Sequence, residues 1–279
     1  MEVLRGLAAA ADLVLPSRCA ACHAAAVGPL CGPCTAAVRS ATRGVGAPAA
    51  GSQPRPPPTA VPWCWAGARF EGPLRLVVTA YKDEGRRDLR DELARLLGVA
   101  LSAAADEPAV RRRLALGEEV LVVPVPTARA ARRRRGDDPI GALALAAVAA
   151  ADQVAQRGAP GPARSPVGWA GRAYGGLVVV PALVHTRRVE DQAHLDRAAR
   201  AHNLAGSMAV GAPWRGVVRG ATCVLVDDVI TTGATLAEAA RALRDAGARQ
   251  VVAAACATTP RHPQAPPLWP TGPPTSVSA

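Results

Sequence analysis

Apolar and polar positions along the chain alternate between short apolar runs and longer stretches with helical spacing. Residues 74–81 are apolar and rich in β-branched side chains. They lead into 86–101, where Leu89, Leu93, Leu96, Leu97 and Leu101 recur on one helical face. Residues 120–125 (VLVVPV) read as a buried strand ending in the pair Pro124 and Pro126. An Ala-rich helix follows over 140–154, and a second strand over 177–184 is broken by Pro181. A third strand, 222–226 (TCVLV), runs directly into a loop and a helix over 235–246, which Gly247 ends as a C-cap. Residues 251–255 give a fourth strand. Apolar strands alternating with helices predict an α/β fold, a parallel sheet covered by helices on both faces.

Three stretches interrupt the pattern. Residues 44–62 contain six prolines, 157–176 are rich in Gly, Pro and Arg, and 260–279 contain seven prolines. The expected organisation is a small cysteine module over 10–43, a Pro/Gly-rich linker over 44–62, the α/β domain over 63–258, and a disordered Pro-rich tail over 259–279. No internal repeat is visible.

Composition changes this picture in two places. Hydrophobic residues make up 49% of the 279 and charged residues 20%, which allows a sizeable core and excludes global disorder. Aromatic residues are only 3%, so Ala, Val and Leu must build that core. The formal net charge is +11, and Lys82 is the one lysine, so arginine carries nearly all the positive charge. A basic surface attracts nucleic acid or phosphorylated ligands, although a general Arg/Ala bias in composition gives the same balance. No apolar run reaches the roughly 18–20 residues of a membrane span. Glu2 beside Arg5, and Asp12 inside residues 7–15, argue against a secretory signal, so the expected location is cytoplasmic.

Seven cysteines are an odd number, and four of them form two CxxC pairs: Cys19 with Cys22, and Cys31 with Cys34. Two such turns close a tetrahedral Zn²⁺ site of the four-thiolate type, with Gly28, Pro29, Gly32 and Pro33 supplying the turns. With no open ligand position the zinc is structural, folding a segment too small for its own core. A redox CxxC is the competing reading. His23 reads as a bystander, and Cys64, Cys223 and Cys256 as buried thiols.

The most informative stretch is 224–235, VLVDDVITTGAT. A buried strand ends in two adjacent carboxylates, and a turn of small and hydroxyl residues opens a helix. Ligands in open α/β sheets bind at the carboxyl ends of strands, and a helix N-terminus binds phosphate through its N–H groups and dipole. Gly233 lets the backbone approach closely, and Thr231, Thr232 and Thr235 add donors. Carboxylates repel phosphate, so Asp227 and Asp228 suit sugar hydroxyls nearby or a hydrated Mg²⁺. Together these describe a site for a phosphorylated ribose. The plainer alternative is a strand–turn–helix with Thr235 as N-cap and an acidic loop.

This stretch resembles the signature for 5-phosphoribosyl-1-pyrophosphate (PRPP) in type I phosphoribosyltransferases. The resemblance implies that Asp227 and Asp228 hold the ribose hydroxyls, and that Thr231, Thr232, Gly233, Ala234 and Thr235 hold the 5′-phosphate. Hypoxanthine-type members have an aspartate where this chain has Thr231, which counts against a purine of that kind. The chain as a whole is similar to the ComF/GntX family, linked to DNA uptake or use in bacteria. That likeness spans most of residues 10–256: LPSRCAAC at 15–22, AYKDEGRRDL at 80–89, VVPVP at 122–126, RRRRG at 132–136, and Gln192, Arg200 and Asn203. It implies a PRPP ligand, Mg²⁺ with it, and a possible link to DNA or the uptake machinery. Family members continue the RG with an aromatic residue, Asn and Gln. Here Asp137, Asp138 and Pro139 stand instead, which predicts ligand binding with little transfer to common bases, and a gain on Asp138→Asn.

Arg132, Arg133, Arg134 and Arg135, with Arg129, follow the VPVP strand end, where a parallel sheet places a second ligand loop. Guanidinium groups bind pyrophosphate bidentately, so this run is the candidate pyrophosphate loop. Arg187, Arg188, Arg197 and Arg200 surround Gln192 in a polar stretch suited to closing over a site. Clustered arginines equally contact DNA phosphates, so a zinc- and arginine-dependent DNA-binding factor stays open, as does a PRPP-sensing regulator. Lys82 reads equally as a surface lysine or a ligand.

Overall fold

A computed structural model describes residues 17–41, 61–127, 137–155, 173–187 and 203–259. Strands β1 (Ser17–Arg18) and β2 (Ala25–Ala26) pair antiparallel and precede helix α1 (Gly32–Ser40). Then come β3 (Cys64–Arg69), α2 (Gly72–Asp83), α3 (Arg90–Ala105), α4 (Pro108–Ala115), β4 (Val120–Pro124) and α5 (Pro139–Ala155). The order continues with β5 (Ala173–Tyr174), β6 (Leu177–Val179), β7 (Leu183–His185), β8 (Met208–Val210), α6 (Arg215–Val218), β9 (Thr222–Ile230), α7 (Ala234–Asp245) and β10 (Gln250–Thr258). Short 3₁₀ turns at Arg87–Leu89 and Ala212–Trp214 lead into α3 and α6.

The main sheet has the order β3-β10-β9-β4-β6-β5. The first five strands are parallel, and β5 closes one edge antiparallel to β6. Helices pack against it, as the strand–helix alternation predicts. Every residue of β4 is buried, as are Cys223, Val224, Leu225 and Val226 on β9 and residues 251–257 on β10. The apolar runs that mark these strands are what a sheet covered on both faces needs. Small side chains let the helices come close: a Cβ added at Gly67 on β3 would lie 2.0 Å from the Leu96 carbonyl oxygen of α3.

Residues 74–81 lie inside α2 despite their β-branched content. Leu74, Val77, Val78 and Tyr81 are all buried there, three and four residues apart, and that spacing outweighs strand propensity. Pro181 separates β6 from β7, and β7 leaves the main sheet to pair with β8. The cysteine segment shares one core with the α/β layers, through Cys19, Ala20, Cys34 and Val38. The segments 42–60 and 260–279, which hold most of the expected linker and tail, lie outside the described residues.

Candidate functional site

The chain passes from β4 to β6 on one side and later places β9 on the other, so the order reverses between β4 and β9. Open α/β sheets bind ligands outside the carboxyl ends of the strands at such a point. The register opens a crevice there. β4 ends at Pro124, opposite Val226, while β9 runs on through Asp227, Asp228, Val229 and Ile230, paired among the described residues with β10 alone.

After Ile230 the chain turns through Thr231 and Thr232 to Gly233, which takes φ +76° and caps α7 with no side-chain hydrogen bond. The left-handed conformation is what glycine supplies without strain. Gly233, and not Thr235, is therefore the N-cap. Its carbonyl accepts from the Ala237 N–H at 2.8 Å, and the Ala234 N–H meets the Thr232 hydroxyl at 3.4 Å. A first turn capped in this way presents N–H groups and a positive dipole end to an anion. The predicted phosphate loop thus stands at the crevice, and both acids stand on the strand leading into it.

The two carboxylates differ in setting. Asp228 is 3% exposed; its Oδ1 accepts from the Val229 N–H at 2.7 Å, and its Oδ2 lies 2.7 Å from Nζ of Lys82. Asp227 is partly exposed, and its Oδ1 accepts from the Asp228 N–H at 2.8 Å. Burial, and then the charge of Asp228, push the Asp227 carboxyl up to about 7 against the pull of Lys82. Burial works against the Lys82 ammonium, but Asp228 and Asp227 outweigh it and hold it above the usual lysine value.

The raised Asp227 value has a consequence for stability. Between about pH 4 and about pH 7 the folded state keeps a proton that the unfolded chain has released, so stability present at acidic pH is lost as pH rises through this window. Thermal melts of the ligand-free protein should show a midpoint falling from mildly acidic to mildly alkaline pH. Asp227→Asn should flatten that slope; an unchanged slope would show that Asp227 does not titrate there.

Residues 80–89 tie the site together in a way their sequence does not announce. The Tyr81 hydroxyl donates to the Pro139 carbonyl at 2.9 Å, and the Arg87 guanidinium lies 4.9 Å over the Tyr81 ring. Arg87 pairs with Asp137 and donates to the Tyr81 carbonyl. Arg86 donates to the Arg18 carbonyl of β1 at 3.1 Å, reaching the cysteine segment. One turn of chain therefore holds β9 through Lys82, the start of α5 through Tyr81 and Arg87, and the cysteine segment through Arg86.

Asp137 and Asp138 are engaged by these elements. Asp138 Oδ1 accepts from the Gly141 N–H at 3.2 Å, which makes it the N-cap of α5, with Pro139 in the first helical position. Asp138→Ala should lower stability by about 1 kcal/mol, or roughly 2–4 °C, while Asp138→Asn, also a good cap, should be close to neutral. Equal melting losses in the two variants would remove the capping role. The arginine run Arg132, Arg133, Arg134 and Arg135, with Arg129, Arg188, Gln192, Arg197 and Arg200, lies outside the described residues. Arg187 donates to the carbonyls of Asn203 and Ala205 at 2.7 and 3.0 Å, so it braces the chain entering β8.

A second network links α7 to the β7–β8 hairpin. Buried Glu238 accepts from the Met208 N–H at 2.9 Å, and Arg241 donates to both Glu238 oxygens and to the Met208 carbonyl. Burial would raise the Glu238 carboxyl, but Arg241 and the Met208 and Gly206 N–H groups bring it below its ordinary value. On the hairpin, the ring Nε2 of buried His185 lies 3.0 Å from the Pro126 carbonyl just beyond β4. The helix behind the phosphate loop and the segment after β4 are thus braced by one hairpin. An acid followed three residues later by an arginine on α7 was visible in the sequence; its hairpin partner was not.

The sulfur atoms of Cys19, Cys22, Cys31 and Cys34 all lie within 4.8 Å of one another, and those of Cys22 and Cys31 are 3.6 Å apart. A tetrahedron of Zn–S bonds near 2.3 Å has edges of about 3.8 Å, so this donor set fits zinc. The first pair lies on the turn between β1 and β2, where His23 adopts φ +60° and donates its N–H to the Cys19 carbonyl at 2.9 Å. The second pair opens α1, with Cys31 as its N-cap residue. Burial pushes Cys34 up to about 12, whereas at Cys19 burial is outweighed by N–H groups of Cys22, Cys31 and Ala21, and its thiol falls to about 6. Four clustered thiols ionise together only when a cation joins them. Cys64, Cys223 and Cys256 are buried in the sheet, away from this group.

Comparison with known proteins points the same way. Residues 161–269 match the phosphoribosyl transferase domain family. The ribose-phosphate pyrophosphokinase of Nostoc sp. (strain PCC 7120 / SAG 25.82 / UTEX 2576) is 50% identical over 64 residues, 23% of this chain and 18% of that protein. Those of Prochlorococcus marinus (strain MIT 9313) and Pasteurella multocida (strain Pm70) are 38% identical over 81 residues and 40% over 79. These matches cover 29% and 28% of this chain, and 23% and 24% of the relatives. The chain thus spans about a quarter or less of the length of the curated relatives it matches. Among the described residues, no helix is long and apolar enough to cross a membrane.

Proposed function

We propose that this chain is a PRPP-binding phosphoribosyltransferase-like protein of the ComF/GntX type. The supporting observation is the strand–turn–helix at the reversal between β4 and β9, with Gly233 at φ +76° capping α7 and two carboxylates on the strand before it. The 5′-phosphate would sit on the first turn of α7 against Thr231, Thr232, Gly233, Ala234 and Thr235. The ribose hydroxyls would donate to Asp227 and Asp228. The phosphoribosyl transferase domain match, and relatives whose name specifies a ribose phosphate and a pyrophosphoryl group, favour the same ligand class.

In the transfer reaction of this ligand class, the bond between C1 and the pyrophosphate oxygen breaks, the pyrophosphate leaves with the bonding pair, and an acceptor nucleophile bonds to C1. Asp227 or Asp228 would hold the Mg²⁺ that accompanies the pyrophosphate, and the ion would supply neutralisation of the departing charge. The chain's own residues position and stabilise: the helix N-terminus fixes one end of the ligand and the acids fix the sugar. Arg132, Arg133, Arg134 and Arg135 are the proposed partners of the pyrophosphate. A structural Zn²⁺ on Cys19, Cys22, Cys31 and Cys34 suits a reducing compartment such as the cytoplasm.

Calorimetric titration with PRPP and Mg²⁺ tests this reading, followed by pyrophosphate release across a panel of acceptors. Saturable binding that ribose 5-phosphate competes away is expected. Absence of PRPP binding, together with salt-sensitive affinity for DNA, would replace it with a DNA-binding factor.

A further inference from the structure

The single lysine of the chain stands in the last turn of α2, with its Nζ 2.7 Å from Oδ2 of Asp228. The side chain of Asp228 is 4% exposed and that of Lys82 51%, so the ammonium touches a buried acid while its own side chain is half exposed. The turn that carries it is fixed from both flanks. Tyr81 bonds to Pro139, and Arg87 pairs with Asp137, both at the start of α5. Lys82 is thereby anchored to β9, and its turn to the start of α5. Every other residue among the 33 Lys and Arg is an arginine. A compact ammonium with three donors can serve two acceptors on different sides, which a planar guanidinium fork does less readily.

Resting on the reading of residues 227–235 as a 5-phosphoribosyl site, we propose that Lys82 is a ligand-contacting residue of that site. It bridges Asp228, which meets the ribose, to a phosphate oxygen of the ligand other than the 5′-phosphate. The ammonium lies beside the ribose acids, so the anion it meets is the group carried next to the ribose hydroxyls, at C1: the pyrophosphate of PRPP. A carboxylate or phosphate on the acceptor is the other source of the same chemistry, and the choice of probes separates the two.

Lys82 can be followed without mutation, because no other side chain in the sequence carries a primary amine. The wild-type protein is acetylated under limiting conditions with an amine-reactive ester, and modification of the peptide containing Lys82 is read by mass spectrometry. Mg²⁺–PRPP should slow that modification about five-fold or more, and ribose 5-phosphate, lacking the C1 pyrophosphate, distinctly less. A parallel calorimetric titration should find Lys82→Met weakened about ten-fold for PRPP and less for ribose 5-phosphate, with Lys82→Arg recovering part of the loss. Equal protection by the two ligands would overturn the pyrophosphate contact. PRPP binding to wild type with an unchanged Lys82 modification rate would overturn this inference alone, and no PRPP binding at all would overturn both it and the site reading.

Discussion

Replacing Asp227 and Asp228 together by Asn will weaken PRPP binding ten-fold or more and leave the sheet folded. A hydrogen bond to a charged group contributes about 1.5–3 kcal/mol, and each 1.4 kcal/mol is a factor of ten in affinity. Both acids lie on the part of β9 that extends past β4, so the ladder behind them, from Thr222 to Val226, stays paired on both sides. Removing the charges also relieves the burial cost, and then the repulsion from Asp228, that push the Asp227 carboxyl up. Lys82, half exposed, rehydrates when it loses Asp228. Calorimetry with circular dichroism as a fold control decides the matter: unchanged PRPP affinity in the double variant would remove the ribose role from these residues.

The second large effect belongs to the cysteine cluster. Cys31→Ser will abolish stoichiometric zinc and lower the unfolding midpoint of the whole chain. Structural zinc sites contribute on the order of 10 kcal/mol to the segments they fold. Part of this is returned when the segment frays, so a net loss of about 3 kcal/mol, or roughly 6–12 °C, is expected. The loss should reach the α/β layers, because Cys19, Cys34 and Val38 belong to the same core as α2 and α3, and Arg86 reaches back to the Arg18 carbonyl. Metal analysis of protein purified under reducing conditions without chelator, with thermal melts, measures both. One zinc retained and an unchanged midpoint would contradict the four-thiolate site.

Features written in local chemistry were legible in the sequence. The strand, turn and helix of 222–246 follow from an apolar run, a small-residue turn and a 3.6-residue period. Pro181 marks the place where the chain leaves the main sheet. Other features depended on neighbours distant in sequence. Residues 74–81, apolar and rich in β-branched side chains, point to no one element by sequence alone; burial at helical spacing made α2. Strand β3 (CWAGAR) has small residues, Ala66, Gly67 and Ala68, at its centre, so it gave no pattern; pairing with β10 makes it a strand. Asp137 and Asp138 looked like acids placed against a pyrophosphate. In the fold, one pairs with Arg87 and the other caps α5, which removes the reason to expect a gain from Asp138→Asn. Lys82 was an isolated charge in the sequence, and only the approach of α2 to β9 brings it to Asp228.

The most direct test of the phosphoribosyl site is to locate the 5′-phosphate by amide chemical shifts. Titrating ¹⁵N-labelled protein with Mg²⁺–PRPP should move the N–H resonances of Thr232, Gly233, Ala234 and Thr235 most strongly, since they face the proposed phosphate. Ribose 5-phosphate should reproduce those shifts. Saturable binding that leaves these four amides in place, with shifts confined to other parts of the chain, would contradict the site.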